Sequence, residues 1–294
     1  MGGIMDINNL EVIIPVYNEQ DNIPILIQGL RRVIGDSCRI TLVNDASTDK
    51  TVAKAREVQA RIISHPYRIG NSAAIKTGLR QSNAEIVVLM DADLQHLPED
   101  LPGLLAQIDN FDMVIGARAF SGLSLRNLAN RAYNLFASYI TNFKIRDLTS
   151  GFRVLRRRDA SRFLYLLPNG FSYPTTLTLA FLKTGRAIKY VDIANTPRVA
   201  GKSKINLLQD GARFFMIITR IATFFSPFKV FLPISIFFFI VALVYYLYTY
   251  LVFHRFTNMS ALLFTTSVTI FMLGLISEQV SQLRMDRTEE GQSQ

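Results

Sequence analysis

Residues 85–95 have the sequence EIVVLMDADLQ, an apolar run followed at once by two carboxylates. The apolar, partly β-branched run at residues 86–90 predicts a buried strand over residues 85–90. Asp91 and Asp93 stand one residue apart just past its end. Paired carboxylates can hold a hard divalent cation such as Mg²⁺ or Mn²⁺, which prefers oxygen ligands. The pair is also compatible with a solvated turn, but its position after a strand favours the metal site.

Apolar runs of strand length alternate with helical patterns on either side of this stretch. The pattern predicts strands at residues 10–16, 39–43, 61–64, 85–90 and 112–115. Helices predicted between them imply βαβ units, and therefore an α/β domain with a mostly parallel sheet. Ligands of such sheets bind beyond the carboxyl ends of the strands. Asp91 and Asp93 occupy that position.

Polar and aromatic side chains follow the first two predicted strands as well. Tyr17 and Glu19 come directly after the first strand, where an aromatic ring could pack on a base and an acid could contact a ribose. Asp45 follows the second strand, where its carboxylate could accept hydrogen bonds from a base or a ribose hydroxyl. Each residue alone is a weak signal.

The composition favours a membrane over a nucleic acid. The chain has 294 residues, a net charge of +9, 49% hydrophobic residues and only 19% charged residues. It contains no nucleic-acid-binding motif, so we expect no nucleic-acid partner. The positive charge instead favours an anionic membrane surface or phosphorylated substrates. The single cysteine, Cys38, excludes an intramolecular disulfide.

Two uncharged stretches near the end of the chain predict a transmembrane hairpin. Residues 230–253 and 259–277 are each long enough to cross a hydrocarbon core of about 30 Å as a helix. Only Arg255 lies in the short turn between them, whereas other cations flank the pair on the outer sides. The positive-inside rule therefore predicts that both termini are cytoplasmic. A buried helical hairpin in a soluble core is the alternative.

Two further segments have amphipathic helical patterns, at residues 123–141 and 206–225. Helices of this kind before a membrane hairpin can lie in the bilayer interface. Ordinary core packing is an equally good interpretation of the first segment. The second adjoins the predicted span, which favours the interface there.

The strand-end motifs, taken in order, resemble glycosyltransferase family 2, whose members have the Rossmann-like GT-A fold. With the C-terminal hairpin, they are similar to the polyprenyl-phosphate or dolichol-phosphate-type glycosyltransferases. The resemblance extends from about residue 10 to about residue 280. Its motifs are residues 15–19, 44–49, 91–95, 116–118, 147–153 and 198–204.

The resemblance implies a role for each matched position. A nucleotide sugar would be bound by Pro15, Tyr17, Glu19, Asp45 and Asp91, with Arg198, Lys202 and Lys204 on a mobile loop over its phosphates. Asp91, Asp93 and Gln95 would hold Mg²⁺ or Mn²⁺, and Asp93 and Gln95 would serve catalysis directly. Arg118, Arg131 and Ser150 lie in the segments that grip the lipid phosphate in this family. The basic loop could also be attracted to anionic lipid, and both roles could coexist.

Two departures from the family pattern limit the resemblance. Family members often carry an acid where this chain has residues 171–176, FSYPTT, so the resemblance implies no donor-sugar contact from an acid in this segment. Processive relatives carry a Gln-x-x-Arg-Trp motif, whereas this sequence contains no tryptophan. The second departure argues against processive synthesis.

These patterns divide the chain into four predicted parts. They are a catalytic domain at residues 1–205, juxtamembrane amphipathic helices at 206–228, a transmembrane hairpin at 229–280 and a cytoplasmic tail at 281–294. We expect an integral membrane protein of the bacterial inner membrane with a cytoplasmic catalytic domain. Two isolated spans often gain from self-association, so a homo-oligomer is a candidate state that the sequence leaves open.

The predicted function is inverting transfer of a sugar from a UDP- or GDP-linked donor to a polyprenyl phosphate at the cytoplasmic face. One alternative is a membrane-anchored family 2 transferase that acts on a glycan or a protein. Another is a nucleotide-binding membrane scaffold without turnover. The sequence leaves the sugar, the base, the metal and the choice between undecaprenyl and dolichyl acceptors open, with UDP and undecaprenyl favoured.

Overall fold

This computed structural model describes residues 9–118, 125–170, 172–194, 216, 219 and 222–290. For residues 125–127, 129 and 284–290 it describes the backbone alone. The chain forms two compact units, residues 1–207 and residues 208–294, and each is described by itself.

The first unit is built on a seven-stranded sheet with the order β3-β2-β1-β4-β6-β5-β7. The strands are β1 (Leu10–Val16), β2 (Arg39–Asn44), β3 (Arg61–Ser64), β4 (Ile86–Leu89), β5 (Met113–Arg118), β6 (Arg153–Arg156) and β7 (Ile188–Ile193). Neighbouring strands are parallel except at β6, which runs antiparallel to both β4 and β5. The central strands are buried along their whole length, as expected for a sheet covered on both faces.

Seven helices of the first unit are described. They are α1 (Asn22–Ile34), α2 (Thr51–Glu57), α3 (Asn71–Gln81), α4 (Leu101–Leu105), α5 (Leu125–Thr141), α6 (Arg157–Arg162) and α7 (Tyr173–Lys183). A 3₁₀ turn at Pro98–Asp100 leads into α4. Helix α1 shows why these segments fold as they do, because its apolar residues recur on one face. Ile23, Leu26, Ile27 and Leu30 are all fully buried against the sheet.

The predicted α/β class and mostly parallel sheet are confirmed, and each of the five predicted strands is present within a few residues of its expected bounds. Strands β6 and β7 were not predicted as strands. In β7, Lys189 and Asp192 interrupt the apolar residues. Strand β6 is only four residues long and has an arginine at each end, so its sequence lacks a clear apolar signal. Its place is fixed by pairing with β4 and β5, which are distant in sequence.

The second unit contains two long antiparallel helices, α8 (Phe228–Phe253) and α9 (Asn258–Glu290). Phe228–Phe253 and Asn258–Leu283 are long and apolar enough to cross a membrane, and only 11% and 17% of their most apolar windows are buried. Helices of a soluble core would be mostly buried, so this exposure favours the predicted membrane hairpin over the soluble alternative. Helix α9 continues to Glu290, which places ten residues of the predicted tail, 281–290, in a helix.

Small polar side chains join the two helices of the hairpin. The Ser235 hydroxyl donates to the Ser267 carbonyl at 2.9 Å, and the Ser267 hydroxyl donates to the Ser235 carbonyl at 3.0 Å. Both residues are buried between the helices. Interhelical bonds of small residues are a common device where lipid removes the hydrophobic driving force between helices.

The predicted amphipathic segments are only partly described. Helix α5 buries Ala137 and Ile140 but exposes Leu128, Leu135 and Tyr139, at 60%, 73% and 50%. It therefore packs on the domain with one face and presents apolar side chains on another. The segment 206–225 lies mostly outside the described residues, apart from Met216, Thr219 and the helical residues 222–225.

Substitution of Gly78 tests the packing of α3 on β1. A Cβ at this position would lie 2.3 Å from Ile13 Cγ2, so Gly78→Ala forces a shift at the centre of the sheet. Overpacking costs about 1–3 kcal/mol, which exceeds the gain of about 1 kcal/mol that alanine brings to a helix. We expect a lower melting temperature of the detergent-solubilised protein in circular dichroism.

The matched control is Gly103→Ala in α4, where the nearest atom to a new Cβ is Val191 Cγ1 at 3.9 Å. This change should leave the melting temperature unchanged or raise it. Equal effects of the two substitutions would contradict the packing of α3 on β1.

Candidate active site

The carboxyl ends of β2, β1 and β4 meet at one edge of the sheet. These strands are adjacent and parallel, and the Asp45 amide donates to the Val16 carbonyl at 2.9 Å, just past the ends of β2 and β1. Tyr17, Asp45 and Asp91 therefore follow neighbouring strands at the same edge. This is the position at which ligands of open α/β sheets bind.

The chain after β4 presents its polar residues on one face. Asp91, Asp93 and Gln95 are partly exposed, whereas the intervening Ala92 and Leu94 are buried. Leu94 has a left-handed backbone (φ 57°), and the Gln95 amide donates to Asp93 Oδ1 at 3.3 Å across this turn. The three candidate metal ligands are thus held on a short, partly solvent-facing segment.

The donor set fits a hard divalent cation that also binds a substrate. Among the described residues, no three His, Cys, Asp or Glu side chains are grouped to hold a metal. A metal here would rely on the carboxylates of Asp91 and Asp93, with the amide oxygen of Gln95. Mg²⁺ typically binds in this way, through one or two carboxylates together with waters and substrate phosphates.

Strand β6 brings a second segment against these acids. Because β6 is antiparallel, its first residue, Arg153, pairs with the last residue of β4, Leu89, so the chain before β6 meets the chain after β4. A Cβ on Gly151 would lie 2.2 Å from Asp91 Oδ2 and 2.9 Å from the Tyr173 hydroxyl. Only glycine fits this close approach. The Tyr173 hydroxyl donates to the Gly151 carbonyl at 3.1 Å and fixes the same segment from the other side.

Arg118 at the end of β5 forms a buried ion pair with Asp147. Its Nε donates to Asp147 Oδ2 at 2.8 Å and its Nη2 donates to Asp147 Oδ1 at 3.2 Å and to Thr149 Oγ1 at 2.9 Å. Burial lowers the pKa of Arg118, but the hydrogen bonds and charge of Asp147, and then the charges of Asp91 and Asp93, raise it overall. The guanidinium is therefore a permanent cation in the electrostatic field of the acid pair.

Asp147 is the acidic half of this pair and is fully buried. Burial raises the pKa of its carboxyl group, but the hydrogen bond and charge of Arg118 outweigh burial and hold the pKa below its usual value. Asp147 thus stays ionised and fixes the orientation of Arg118.

Arg153 organises the loop before β6 from inside the protein. It is fully buried, and its guanidinium donates to the carbonyls of Ser150 at 2.8 Å and Leu148 at 3.3 Å and to Thr178 Oγ1 at 2.8 Å. Burial lowers the pKa of Arg153. Its motif was recognised in the sequence but its structural role was not, because its partners, two carbonyls and the Thr178 hydroxyl, come together only in the folded chain.

The Asp45 carboxylate holds the loop between β3 and α3. It accepts hydrogen bonds from the amides of Ile69 and Gly70, both at 2.8 Å, and lies 2.9 Å from Nδ1 of His65. Asp45 is only 3% exposed. Its described partners are thus protein groups, and a direct contact to a nucleoside stays a prediction.

The same loop places Arg68 over the Tyr17 ring, with its Cζ 4.0 Å from the ring centroid. Arg68 was not singled out from the sequence, because a single exposed arginine carries no positional signal.

Glu19 and Pro15, two further predicted nucleotide-site residues, lie near the end of β1. Glu19 accepts a hydrogen bond from Asn22 Nδ2 at 2.6 Å at the start of α1. Pro15 is buried within β1 beside Val43.

His96 directly follows the acidic segment and is buried in the domain. Its ring stacks on Phe152 with centroids 5.4 Å apart, and both ring nitrogens are buried without a hydrogen-bond partner. Burial, and then the charge of Arg118, lower the pKa of His96 to about 4. The His96 ring is therefore buried and neutral near pH 7.

The other predicted site residues are Ser150, Arg131, Arg198, Lys202 and Lys204. Ser150 is fully buried, whereas Arg131 lies on the exposed surface of α5. Arg198, Lys202 and Lys204 lie outside the described residues. The roles predicted for these five residues remain predictions.

Comparison with known proteins identifies the protein family. The chain belongs to glycosyl transferase family 2, whose model matches residues 11–164. A second model, described as the GtrB C-terminal hairpin, matches residues 226–283. The resemblance stated from the sequence motifs is therefore confirmed.

Two relatives of this chain are polyprenyl-phosphate sugar transferases by name. An undecaprenyl-phosphate 4-deoxy-4-formamido-L-arabinose transferase from Pectobacterium carotovorum is 30% identical over 217 residues, which cover 70% of this chain and 65% of that protein. A dolichol-phosphate mannosyltransferase from Pyrococcus furiosus is 32% identical over 213 residues, which cover 67% of this chain and 59% of that protein. This chain thus spans less than two thirds of the length of both relatives.

A solved structure shares the fold. Glucosyl-3-phosphoglycerate synthase from Mycobacterium tuberculosis, crystallised with Mn²⁺, UDP and phosphoglyceric acid, superposes with a TM-score of 0.61 at 19% identity. The match covers 72% of this chain and 78% of that one. It confirms the predicted GT-A-like fold.

Substitution of Gly151 tests the contact between the two segments of the site. Gly151→Ala would place a methyl group on Asp91 Oδ2, so the carboxylate must move. We expect Mn²⁺ affinity, measured by electron paramagnetic resonance, to fall at least about tenfold, equivalent to about 1.4 kcal/mol. Gly170→Ala is the control, because a Cβ there meets no atom within 4 Å. Unchanged Mn²⁺ affinity in Gly151→Ala would exclude Asp91 as a ligand held in this position.

Substitution of Asp147 tests the buried ion pair. Asp147→Asn leaves the Arg118 charge without its counter-ion, and removing one partner of a buried pair costs about 3 kcal/mol or more. We expect a clear fall in the melting temperature of the purified protein. The control is Asp192→Asn, which breaks the solvent-exposed pair with Arg146 and should cost less than about 1 kcal/mol. Equal, small losses for both variants would contradict a stabilising role for Asp147.

Proposed function

We propose that this protein transfers a sugar from a nucleotide diphosphate sugar to a polyprenyl phosphate and releases the nucleoside diphosphate. The observation that carries the proposal is the exposed face of Asp91, Asp93 and Gln95 at the carboxyl edge of the sheet, beside Arg118. Both relatives named above are polyprenyl-phosphate sugar transferases by name, one for undecaprenyl and one for dolichol phosphate. The C-terminal hairpin supplies the membrane contact that such an acceptor requires.

The donor diphosphate would lie on the acidic face. Asp91 and Asp93, with Gln95, would hold the Mg²⁺ or Mn²⁺ ion. The glucosyl-3-phosphoglycerate synthase of the same fold, which was crystallised with Mn²⁺ and UDP, supports a divalent metal. When bound, the divalent cation supplies positive charge that stabilises the leaving diphosphate. The nucleoside would lie towards β1 and β2, near Tyr17 and Glu19. Arg198, Lys202 and Lys204 would close over the phosphates.

The acceptor phosphate would be held by arginines. Arg118 is rigid because Asp147 and Thr149 fix its guanidinium, so little conformational entropy is lost when it binds an anion. Arg131 and Ser150 are assigned to the same phosphate. A planar guanidinium suits this role because it can bind two phosphate oxygens at once.

The reaction itself needs no dedicated base. A phosphate monoester is already ionised near neutral pH, so one of its oxygens can attack the anomeric carbon directly. The bond from that carbon to the diphosphate oxygen breaks, and the nucleoside diphosphate leaves from the opposite face. An α-linked donor would thus give a β-linked lipid phosphosugar. The protein would contribute placement and charge stabilisation.

The orientation and the partners follow from the same proposal. The cations that flank the hairpin, including Lys229, favour cytoplasmic termini by the positive-inside rule, and nucleotide sugars are cytoplasmic substrates. We assign the reaction to the cytoplasmic face of a bacterial inner membrane, with undecaprenyl phosphate favoured as the acceptor and UDP as the carrier nucleotide.

The direct test is an assay with a panel of nucleotide sugars. Membranes that contain the protein receive metal, a labelled UDP- or GDP-sugar and a short polyprenyl phosphate, and label is counted in the organic extract. We expect one donor to give a prenyl-linked product. Label that remains in an aqueous glycan or protein fraction would favour the alternative acceptors and contradict the proposal.

Within that assay, Asp93→Ala should nearly abolish product formation, because the leaving diphosphate loses its charge stabilisation. Loss of a single electrostatic contact to a developing charge typically costs about 100-fold or more in rate. Membrane insertion, checked by carbonate extraction, should be unaffected. Asp109→Ala, which removes an exposed acid elsewhere in the domain, is the control. Normal, metal-dependent turnover in Asp93→Ala would remove the metal assignment.

A further inference from the structure

A second polar cleft lies at the opposite edge of the sheet from the candidate active site. It has a volume of about 480 Å³, and its lining includes the residues that directly precede β1, β4 and β5, namely Asn9, Glu85 and Asp112. Because β6 is antiparallel, it ends at this edge with Arg156. The cleft is therefore separated from the acidic face by roughly the length of a strand, about 20 Å for a strand like β1.

Arginines dominate the lining of this cleft. They come from the end of β6, from α6 and from the turn before β7, and they are Arg156, Arg157, Arg158, Arg162 and Arg186. The acids in the lining are Glu85, Asp112 and Asp159. Five cations face three carboxylates, so the cleft has a formal excess of two positive charges. Like charges brought together in this way repel one another unless an anion is present.

The local acids neutralise these arginines only in part. Asp159 is shared between Arg186, at 3.1 Å, and Arg162, at 3.9 Å, which is beyond hydrogen-bond distance. Glu85 lies 3.4 Å from Arg156 and is largely exposed. For Arg158, which is exposed, the described part of the chain provides no ion pair or hydrogen bond. Arg156 and Arg157 also donate to the carbonyls of Ile108, at 3.4 Å, and Ala84, at 2.9 Å, so the carboxylates neutralise only part of the positive charge in the cleft.

We propose that this cleft binds a soluble phosphorylated anion, such as a phosphate ester or a diphosphate. A phosphate monoester carries nearly two negative charges at neutral pH, which matches the excess in the cleft, whereas a single carboxylate carries one. Guanidinium groups bind phosphate oxygens in a planar, two-point geometry. The volume lies within the range of about 300–1,000 Å³ typical of small-molecule sites.

The choice of a soluble ligand over a lipid headgroup rests on the proposed function. An acceptor lipid must bring its phosphate to the acidic face. The cleft lies about 20 Å from that face, beyond the Debye length of about 8 Å at physiological salt. The existence of an anion site in the cleft does not depend on this step.

The test measures binding of inorganic pyrophosphate to the full-length protein by calorimetry. The Asp91→Asn/Asp93→Asn variant is used in EDTA, so that the candidate metal site takes no part in binding. We expect Arg158→Gln/Arg162→Gln in this background to weaken binding at least about tenfold, because two charge-assisted contacts are lost. Arg32→Gln/Arg56→Gln, which removes two exposed cations from α1 and α2, should change the affinity by less than about twofold.

Three results would overturn the proposal. They are pyrophosphate binding weaker than about 10 mM, equal losses in the cleft variant and its control, and unaltered affinity in the cleft variant. The ligand source is tested in nanodiscs. Equal pyrophosphate affinity in phosphatidylcholine and phosphatidylglycerol discs supports a soluble ligand, and displacement in the anionic discs would show that lipid headgroups fill the cleft. Since no turnover is measured, failure here is distinct from failure of the proposed function.

Discussion

The candidate site depends on the contact between the chain after β4 and the chain before β6. Asp91 could not occupy its position if residue 151 carried a side chain, because the carboxylate oxygen lies where a Cβ would be. The same loop carries Asp147, which is paired with Arg118. The close contact between Gly151 and Asp91 therefore holds two groups near each other. They are the acids proposed to bind the sugar donor and the arginine proposed to bind the lipid phosphate. Under the proposed function, Arg118 would hold the attacking anion, and a divalent cation on the acids would hold the leaving diphosphate.

Much of the fold was predictable because its signals are local. The five predicted strands are short, largely apolar runs, and the carboxylates that follow β4 stand out in the sequence. The hairpin was predictable for the same reason, since charge is absent over two long stretches. These features depend on residues within one element, so periodicity and composition reveal them.

The parts that were not predicted depend on contacts between distant residues. Strand β6 is a strand because β4 and β5 pair with it, and its own four residues give little sign of this. Arg153 is part of a recognised motif, but its function as a buried scaffold depends on carbonyls that only the folded chain brings together. Asp45 was assigned to the nucleoside from its place after β2. In the structure it holds two amides and a histidine, which no spacing rule would show.

The central claim is that a divalent cation on Asp91 and Asp93 stabilises the diphosphate of the donor as it leaves. Anomalous scattering at the manganese edge, from crystals grown with Mn²⁺ and a nucleoside diphosphate, tests this most directly. The account predicts one manganese peak at bonding distance from carboxylate oxygens of both residues and from an oxygen of the diphosphate. A diphosphate bound at the sheet edge with no manganese on these carboxylates, or manganese bound at another place, would contradict it.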